Sequence, residues 1–285
     1  MNPGILTPPT QFATMPRGLL GRPVAVSMPG DPYAYDADAL GYIQRVEAAD
    51  GAPLEPRVRT AFNSFVQACK ANGVWDSITD CCILCGARSL AGCLQPLKGA
   101  TPTNFNFVSG DYARGGATPG LRGNGTSKYL WTNRQDAFFN PNNAHLSVFV
   151  TDIGTVAATS QYIGSAVLAL LYGGNLRIRP RVAFNAGDSA ANLRAAGFIG
   201  ASRNAYSVSY TARGNAISET IVGASALFGN ITVAVLARNG NGGEGAIDIY
   251  SNGRVSFYSL GAGVDLILLD RLVSQLMSDV RAAIP

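Results

Sequence analysis

Charge is scarce in this sequence of 285 residues. Only 14% of the residues are charged, and glutamate occurs four times, lysine three times and histidine once, as His145. The net charge of +4 is carried almost wholly by arginines that are scattered along the chain. Nucleic-acid-binding proteins usually gather their basic residues into clusters interleaved with aromatic ones. We therefore expect no nucleic-acid partner.

The scarcity of histidine and glutamate also argues against most catalytic arrangements. One histidine would have to serve any Ser–His or Cys–His pair, and His145 lies in a strand-like pattern that favours a packed or edge side chain. Glycoside hydrolysis needs two carboxyl groups, and Glu219 and Glu244 are the only glutamates beyond residue 100. No phosphate-binding loop or dinucleotide-binding glycine motif is present. The sequence predicts no catalytic residue, no cofactor-binding residue and no enzymatic activity.

No metal-binding pattern is present either. The five cysteines (Cys69, Cys81, Cys82, Cys85 and Cys93) lack the two separated pairs that zinc sites usually show. We interpret them as small buried side chains of a helical core, and their odd number leaves at least one thiol without an intramolecular disulfide partner. Oxygen ligands for calcium could come from Asp111, Asp152 and Asp248, but their spacing forms no recognisable binding loop. We expect no bound metal.

Long hydrophobic runs are absent as well. A membrane span needs roughly 18 apolar residues, and the longest candidate, residues 163–172, is shorter and contains Gly164 and Ser165. The N-terminus lacks the charged-then-apolar pattern of a signal peptide. The sequence therefore predicts a protein that is made in the cytosol and is not inserted into a membrane.

The first 35 residues are instead rich in proline, with seven of them, and in apolar side chains. Proline fixes φ and removes backbone donors, so we predict an extended arm over residues 1–35. Such an arm has little core of its own and is expected to lie on a partner surface, such as another subunit. The arm thus predicts contacts with neighbouring proteins and a homo-oligomer.

Helical periodicity follows the arm. Helices are predicted from the Asp36 cap to Gly51, from Glu55 to Gly73 and, shorter, from Trp75 to Gly86. These segments define a helical module over residues 36–99. A final helix, capped by Asp265 and carrying a broad leucine-rich stripe, must dock on the rest of the protein.

From residue 100 the pattern changes to short strand-like runs separated by turn residues. The predicted strands are 105–108, 128–131, 145–151, 167–172, 176–184, 198–201, 207–212, 219–222, 231–236, 247–249 and 254–260. Asn252-Gly253 predicts a two-residue hairpin, and Pro180 predicts an edge position for its strand. In that strand Arg177, Arg179 and Arg181 share one face, which we interpret as a solvated face, with a docking stripe for an anionic partner as the alternative. This succession predicts a β-sandwich or a β-barrel. We assign the β-sandwich domain to residues 100–285, with the C-terminal helix packed on it.

Several segments resemble known families. Residues 120–130 (GLRGNGTSKYL), 145–150 (HLSVFV) and 253–260 (GRVSFYSL) resemble core strands of concanavalin-A-like, laminin-G-type jelly rolls. Residues 42–51, 69–75 (CKANGVW) and 102–112 (PTNFNFVSGDY) resemble a module found in bacteriophage virion proteins. The resemblance covers patches between residues 36 and 285 and does not reach the arm.

This resemblance implies a mainly β fold, an antiparallel two-sheet jelly-roll sandwich behind a small helical module. It also implies a bacteriophage virion structural protein, tail- or fibre-associated, whose lectin-like domain adheres to host-surface carbohydrate or contacts other virion proteins. A capsid decoration protein, which would also be part of the virion but at a different position in the particle, is an alternative. A glycan hydrolase is an alternative of another class, although no Glu-x-Asp-x-Glu strand is present.

Overall fold

The computed structural model describes residues 35–155, 160–165, 168–172, 178–182, 195–204, 208–214, 216–225, 229–240 and 246–284; at 168–172 and 178–182 only the backbone is described. The described residues belong to one compact unit that spans residues 35–285. All of the predicted proline-rich arm except its last residue lies outside the described residues.

Two of the predicted N-terminal helices are confirmed. Helix α1 (Ala37–Asp50) is capped by the Asp36 side chain, which accepts a hydrogen bond from the backbone N–H of Asp38, and it ends at Gly51 in the left-handed conformation. Helix α2 (Pro56–Ala71) begins with proline, whose missing N–H is harmless in the first turn. Local capping chemistry therefore determines these bounds.

The predicted third helix is wrong. A single 3₁₀ turn (Trp75–Ser77) leads into strand β1 (Ile78–Ile83), which pairs with a strand near the C-terminus. All of its side chains except that of Thr79 are buried, because both faces of the strand are covered. Pairing with a distant strand outweighs a weak local helical pattern, and a strand from the 36–99 segment thereby joins the sandwich. Only a four-residue helix, α3 (Leu90–Cys93), follows in this segment.

The remaining strands form two large antiparallel sheets and one small one. Every predicted strand overlaps an observed one, and the short strands β3, β4, β7 and β14 were not predicted. The strands are β2 (Thr103–Phe105), β3 (Tyr112–Ala113), β4 (Gly120–Arg122), β5 (Tyr129–Gln135), β6 (Asn143–Asp152), β7 (Gln161–Gly164), β8 (Leu168–Tyr172), β9 (Ile178–Val182), β10 (Gly197–Asn204), β11 (Ser209–Gly214), β12 (Ile217–Val222), β13 (Thr232–Val235), β14 (Ala237–Asn239), β15 (Ile247–Tyr250) and β16 (Arg254–Gly261).

Sheet A has the strand order β12-β11-β10-β6-β16-β4-β3, with β1 also paired to β16, and sheet B has the order β2-β5-β13-β7-β8-β9. Strands β14 and β15 pair with each other in the small sheet. Strand β9 lies at the edge of sheet B, which confirms the position predicted from Pro180. The mainly β, antiparallel fold class is thereby confirmed.

The predicted hairpin at Asn252-Gly253 is wrong, since β15 belongs to the small sheet and β16 to sheet A. A Cβ atom at Gly253 would lie 2.8 Å from the Tyr162 ring and 2.9 Å from the Asp152 carbonyl oxygen. Glycine is therefore needed here for close packing where the chain crosses between sheets. The Asn252-Gly253 dipeptide alone does not indicate that the chain passes from the small sheet to sheet A at this point.

Two hydrophobic cores lie on opposite faces of sheet A. On its inner face, side chains such as Leu146, Val148 and Tyr258 pack with Leu130 and Val235 of sheet B. On its outer face, Phe149, Phe198 and Phe257 pack with the helical side chains. The layers are therefore helices, sheet A and sheet B, and each core buries apolar surface against a different partner.

Helix α4 (Leu266–Ala283) completes the helical layer. The Asp265 side chain caps it by accepting hydrogen bonds from Ile267 N and Leu268 N, and its buried stripe includes Leu269, Val273 and Leu276. Docking of the C-terminal helix is confirmed. Among the described residues, no helix is both long and apolar enough to cross a membrane.

Candidate functional site

A cleft of about 340 Å³ opens where the loop after β4 meets strand β15. Its lining is mostly polar and consists of Asn124, Gly125, Ser160, Asp248, Ile249, Tyr250 and Asn252. It therefore offers amide, hydroxyl and carboxylate groups to a small polar ligand.

The loop that forms one wall is held in shape by Asn124. Its side-chain oxygen accepts hydrogen bonds from the backbone N–H groups of Thr126, Ser127 and Lys128 at 2.9–3.1 Å. The loop is also joined to the opposite wall, because Gly125 N donates to the Ser251 carbonyl at 3.1 Å. These bonds preorganise the cleft.

Asp248 is the carboxylate of this cleft, and it is paired with Arg238 of the neighbouring strand. Arg238 Nε donates to Asp248 Oδ1 at 2.9 Å, and Arg238 Nη2 donates to the other carboxylate oxygen. Both side chains remain partly exposed, so the pair contributes little to stability. The negative charge of Asp248 is therefore balanced by the positive charge of Arg238.

An aromatic cluster borders the cleft on the outer face of sheet B. In β5, Leu130 and Thr132 are buried toward the core, which turns Tyr129 and Trp131 outward. Phe105 of β2 lies directly opposite Tyr129, and their rings stack with centroids 4.5 Å apart. Tyr129 also contacts Trp131 and Tyr250, with centroid distances of 5.1 and 6.2 Å.

We call Phe105, Tyr129, Trp131 and Tyr250 the aromatic strip. All four side chains are partly exposed, and Tyr250 belongs to both the strip and the cleft. Burial and the neighbouring Tyr250 raise the pKa of Tyr129 above its ordinary value, so its hydroxyl keeps its proton at neutral pH. Partly exposed rings beside neutral hydrogen-bonding groups suit a sugar, whose C–H face packs on a ring while its hydroxyls bond to polar groups.

The three aspartates considered as calcium ligands each have a basic partner. Asp111 accepts from Lys128 Nζ at 2.6 Å, Asp152 lies 3.7 Å from Arg122 and Asp248 pairs with Arg238. Within the part of the chain that the structure describes, no group of three or more His, Cys, Asp or Glu residues could hold a metal ion. The absence of a bound metal stays a prediction.

The two glutamates considered for hydrolysis are not brought together in the described residues. Glu219 lies on β12 at the edge of sheet A, and Glu244 lies outside the described residues. The side chains of the predicted arginine face at 177–181 also lie outside them.

The single histidine forms a buried polar row with two serines on the outer face of sheet A. His145 Nδ1 lies 2.5 Å from the Ala262 carbonyl, and its Nε2 lies 3.0 Å from Ser259 Oγ, which bonds in turn to Ser147 Oγ at 2.8 Å. All three side chains are fully buried, and burial lowers the pKa of His145 to about 4. This confirms the packed side chain predicted for His145, and the row has no access for a substrate.

The five cysteines are free and buried, which confirms the predicted burial. The predicted helical core is wrong for Cys82, which lies on β1 and packs in the core between the two sheets, while the other four pack in the core beneath the helices. Burial raises the pKa of Cys69 and of Cys85 to about 12, so the thiols stay protonated and poorly reactive. Cys82 donates weakly to the carbonyl of Cys93 at 3.3 Å.

The aromatic strip was not predicted from the sequence. Alternation of Tyr129 and Trp131 with Leu130 and Thr132 is a signal for one outward face, but it does not indicate whether helices or solvent cover that face. Tyr250 and Asn124 carry no sequence signal, since distant segments bring them to the cleft.

No protein-family model matches this chain, and no curated protein matches it. Among solved structures, a mutant of Trypanosoma rangeli sialidase displaying trans-sialidase activity is similar, with a TM-score of 0.40 and 16% identity over 76% of this chain and 39% of that chain. The T. rangeli sialidase in complex with sialic acid gives a TM-score of 0.36 and 17% identity over 76% and 39%. This chain thus spans about two fifths of the structures that it matches.

These matches correct one prediction. The sequence predicted no enzymatic activity, whereas the similar solved structures named above are those of sialidases, which are enzymes. The prediction that this chain is not an enzyme is therefore not kept. With TM-scores of 0.40 or less, the likeness assigns no residue of this chain to a catalytic role.

Proposed function

We propose that this chain is a bacteriophage virion structural protein, tail- or fibre-associated, whose concanavalin-A-like jelly roll binds carbohydrate on the host surface. The aromatic strip beside the polar cleft is the observation that carries the binding part of this proposal. The virion part rests on the resemblance of residues 42–51, 69–75 and 102–112 to bacteriophage virion proteins.

The strip supports sugar binding because its rings are partly exposed, adjacent and held in place. Phe105 and Tyr129 stack with an interplanar angle of 5°, and Trp131 meets Tyr129 edge-on at 78°. The strands beneath are fixed by the sandwich core, so little side-chain entropy is lost when a ligand binds. Aromatic rings with a rigid backing are efficient contact surfaces for this reason.

A glycan array probed with the full chain tests the binding part. We expect binding to a subset of glycans that Trp131→Ala reduces at least about tenfold, because a major ring contact is lost. Val222→Ala, an exposed substitution on β12 of sheet A, is the control and should bind as the unsubstituted protein does. Absence of binding to every glycan contradicts the proposal, and release of free sugar from a bound glycan would indicate a glycan hydrolase instead.

A capsid decoration protein is the second candidate, favoured by the edge of sheet A. Strand β12 has no further strand beside it among the described residues, and Val222 at its end is 82% exposed. An exposed strand edge can pair with a strand of another chain. Imaging of virions with labelled protein separates the two candidates, since a tail or fibre position supports the first and a position on the coat lattice supports the second.

A further inference from the structure

A second cleft of about 340 Å³ lies at the other end of β5. It is lined by Asn133, Arg134, Gln135, Phe138 and Thr232. Phe138 is 60% exposed, and the Arg134 guanidinium lies over one face of its ring at 4.2 Å from the centroid. Both clefts thus place an aromatic ring that is at least partly exposed beside amide and hydroxyl groups.

The second cleft adjoins the aromatic strip through Thr103 and Asn133. Thr103 lies directly opposite Trp131, and its hydroxyl is 2.9 Å from Asn133 Nδ2. Asn133 also donates to the Thr101 carbonyl at 2.8 Å, and its φ of 56° marks an irregularity in β5 that asparagine tolerates. These bonds fix β2 to β5 between the two clefts.

The length of this surface follows from strand geometry. Tyr129 and Gln135 bound β5, and six residue steps of about 3.3 Å each give roughly 20 Å. A single sugar ring covers only a fraction of that length, whereas a linear chain of several rings extends along it.

The charges along this surface are compensated on the protein. Arg134 donates to Asp80 through Nε at 2.7 Å and through Nη2 at 3.1 Å. Lys128 is paired with Asp111, and Arg238 is paired with Asp248. A ligand that carries carboxylates or sulfates would have to compete with these acidic partners, whereas a neutral ligand would not.

We propose that the aromatic strip and both clefts form one extended site along β5 that binds a linear, neutral glycan of several sugar units. This inference rests on the proposed function and adds the class of glycan. Tyr250 and Phe138 mark the two ends of the site, and Trp131 lies between them. A single terminal sugar would contact only one of these rings.

Calorimetry with the full chain tests the proposal, using neutral gluco-, manno- and galacto-oligosaccharides of one to six units and acidic oligogalacturonates of equal length. In the best neutral series we expect the hexasaccharide to bind about tenfold more tightly than the disaccharide, because additional rings stack on additional side chains. Phe138→Ala should remove most of that gain in affinity with chain length, because one end of the site loses its ring. Trp131→Ala should weaken binding at every length, and Val222→Ala should change nothing.

The outcomes distinguish this inference from the proposed function. Equal affinity for short and long chains, with loss on Trp131→Ala, overturns the extended site and leaves glycan binding intact. Tighter binding of the acidic series overturns the neutral specificity. If no oligosaccharide binds, both the inference and the proposed function fail. Phe138 is so exposed that its substitution cannot act through unfolding of the core, and far-ultraviolet circular dichroism verifies this.

Discussion

The outer faces of the two sheets carry similar aromatic side chains with different surroundings. On sheet A, Phe149, Phe198 and Phe257 are buried beneath the helical layer. On sheet B, Tyr129 and Trp131 stay partly exposed because no described helix covers them. The covered rings stabilise the fold, whereas the open rings are available to a ligand. The comparison teaches that the layer above a sheet face decides the role of its aromatic residues.

The largest effect is expected from Phe257→Ala on the covered face. Phe257 is fully buried and meets Phe65 of α2 edge-on with centroids 5.8 Å apart. Its truncation leaves a cavity between sheet A and the helices and should lower the free energy of unfolding by about 3–5 kcal/mol. Urea denaturation followed by fluorescence measures this, with Ile267→Ala on the exposed face of α4 as the control. A loss below about 1 kcal/mol would mean that the helical layer is not firmly docked.

The free energy of unfolding should also depend on pH, because the covered outer face of sheet A buries the only histidine, His145. The pKa of His145 is about 4 in the folded protein and 6.5 in its ordinary state. Above pH 6.5, His145 is neutral in both the folded and the unfolded protein. Between pH 6.5 and about pH 4, His145 gains a proton in the unfolded protein but stays neutral in the folded one. The free energy of unfolding should therefore fall by about 2 kcal/mol between pH 7.5 and pH 5.

His145→Gln should abolish the fall between pH 7.5 and pH 5, since the chain contains no other histidine. An NMR titration of the ring protons gives the folded pKa directly. A value near 6.5 would show that the ring is solvated, which contradicts the buried row.

A smaller loss is expected from Ser259→Ala. The Ser259 hydroxyl bonds to both His145 Nε2 and Ser147 Oγ, and all three groups are buried. Its removal leaves polar groups with fewer partners and should cost about 1–2 kcal/mol. Ser274→Ala on the exposed surface of α4 is the matched control and should cost less than about 0.5 kcal/mol. Equal losses in thermal unfolding would argue against the network.

The smallest effect on stability is expected from Trp131→Ala on the open face. Its ring is partly exposed and packs beside Tyr129 and Phe105, so the free energy of unfolding should change by about 1 kcal/mol or less. Glycan binding should nevertheless fall strongly. This pattern is the reverse of that for Phe257→Ala, which should lower stability and leave the affinity of the folded protein unchanged. A large stability loss for Trp131→Ala would contradict the inference that the rings on the open face of sheet B contribute little to stability.

Local chemistry determined the elements that the sequence predicted well. The Asp36 cap and the left-handed Gly51 bound α1, and the Asp265 cap begins α4, because each signal acts within a few residues. Alternating side chains located β5 and β6, and Pro180 located an edge strand, since proline cannot donate to a neighbouring strand. These features require no knowledge of the rest of the chain.

Tertiary structure alone decided the remainder. Strand β1 forms where a helix was predicted, because β16 offers it backbone partners that lie about 180 residues away in sequence. Gly253 serves a crossing between sheets rather than a hairpin, since Tyr162 and Asp152 leave no room for a side chain. The candidate site joins β2, β5, β15 and the loop after β4, and its rings are open because the helices dock on sheet A. Long-range packing, which no local sequence pattern encodes, determined that the helices cover sheet A and leave the outer face of sheet B open.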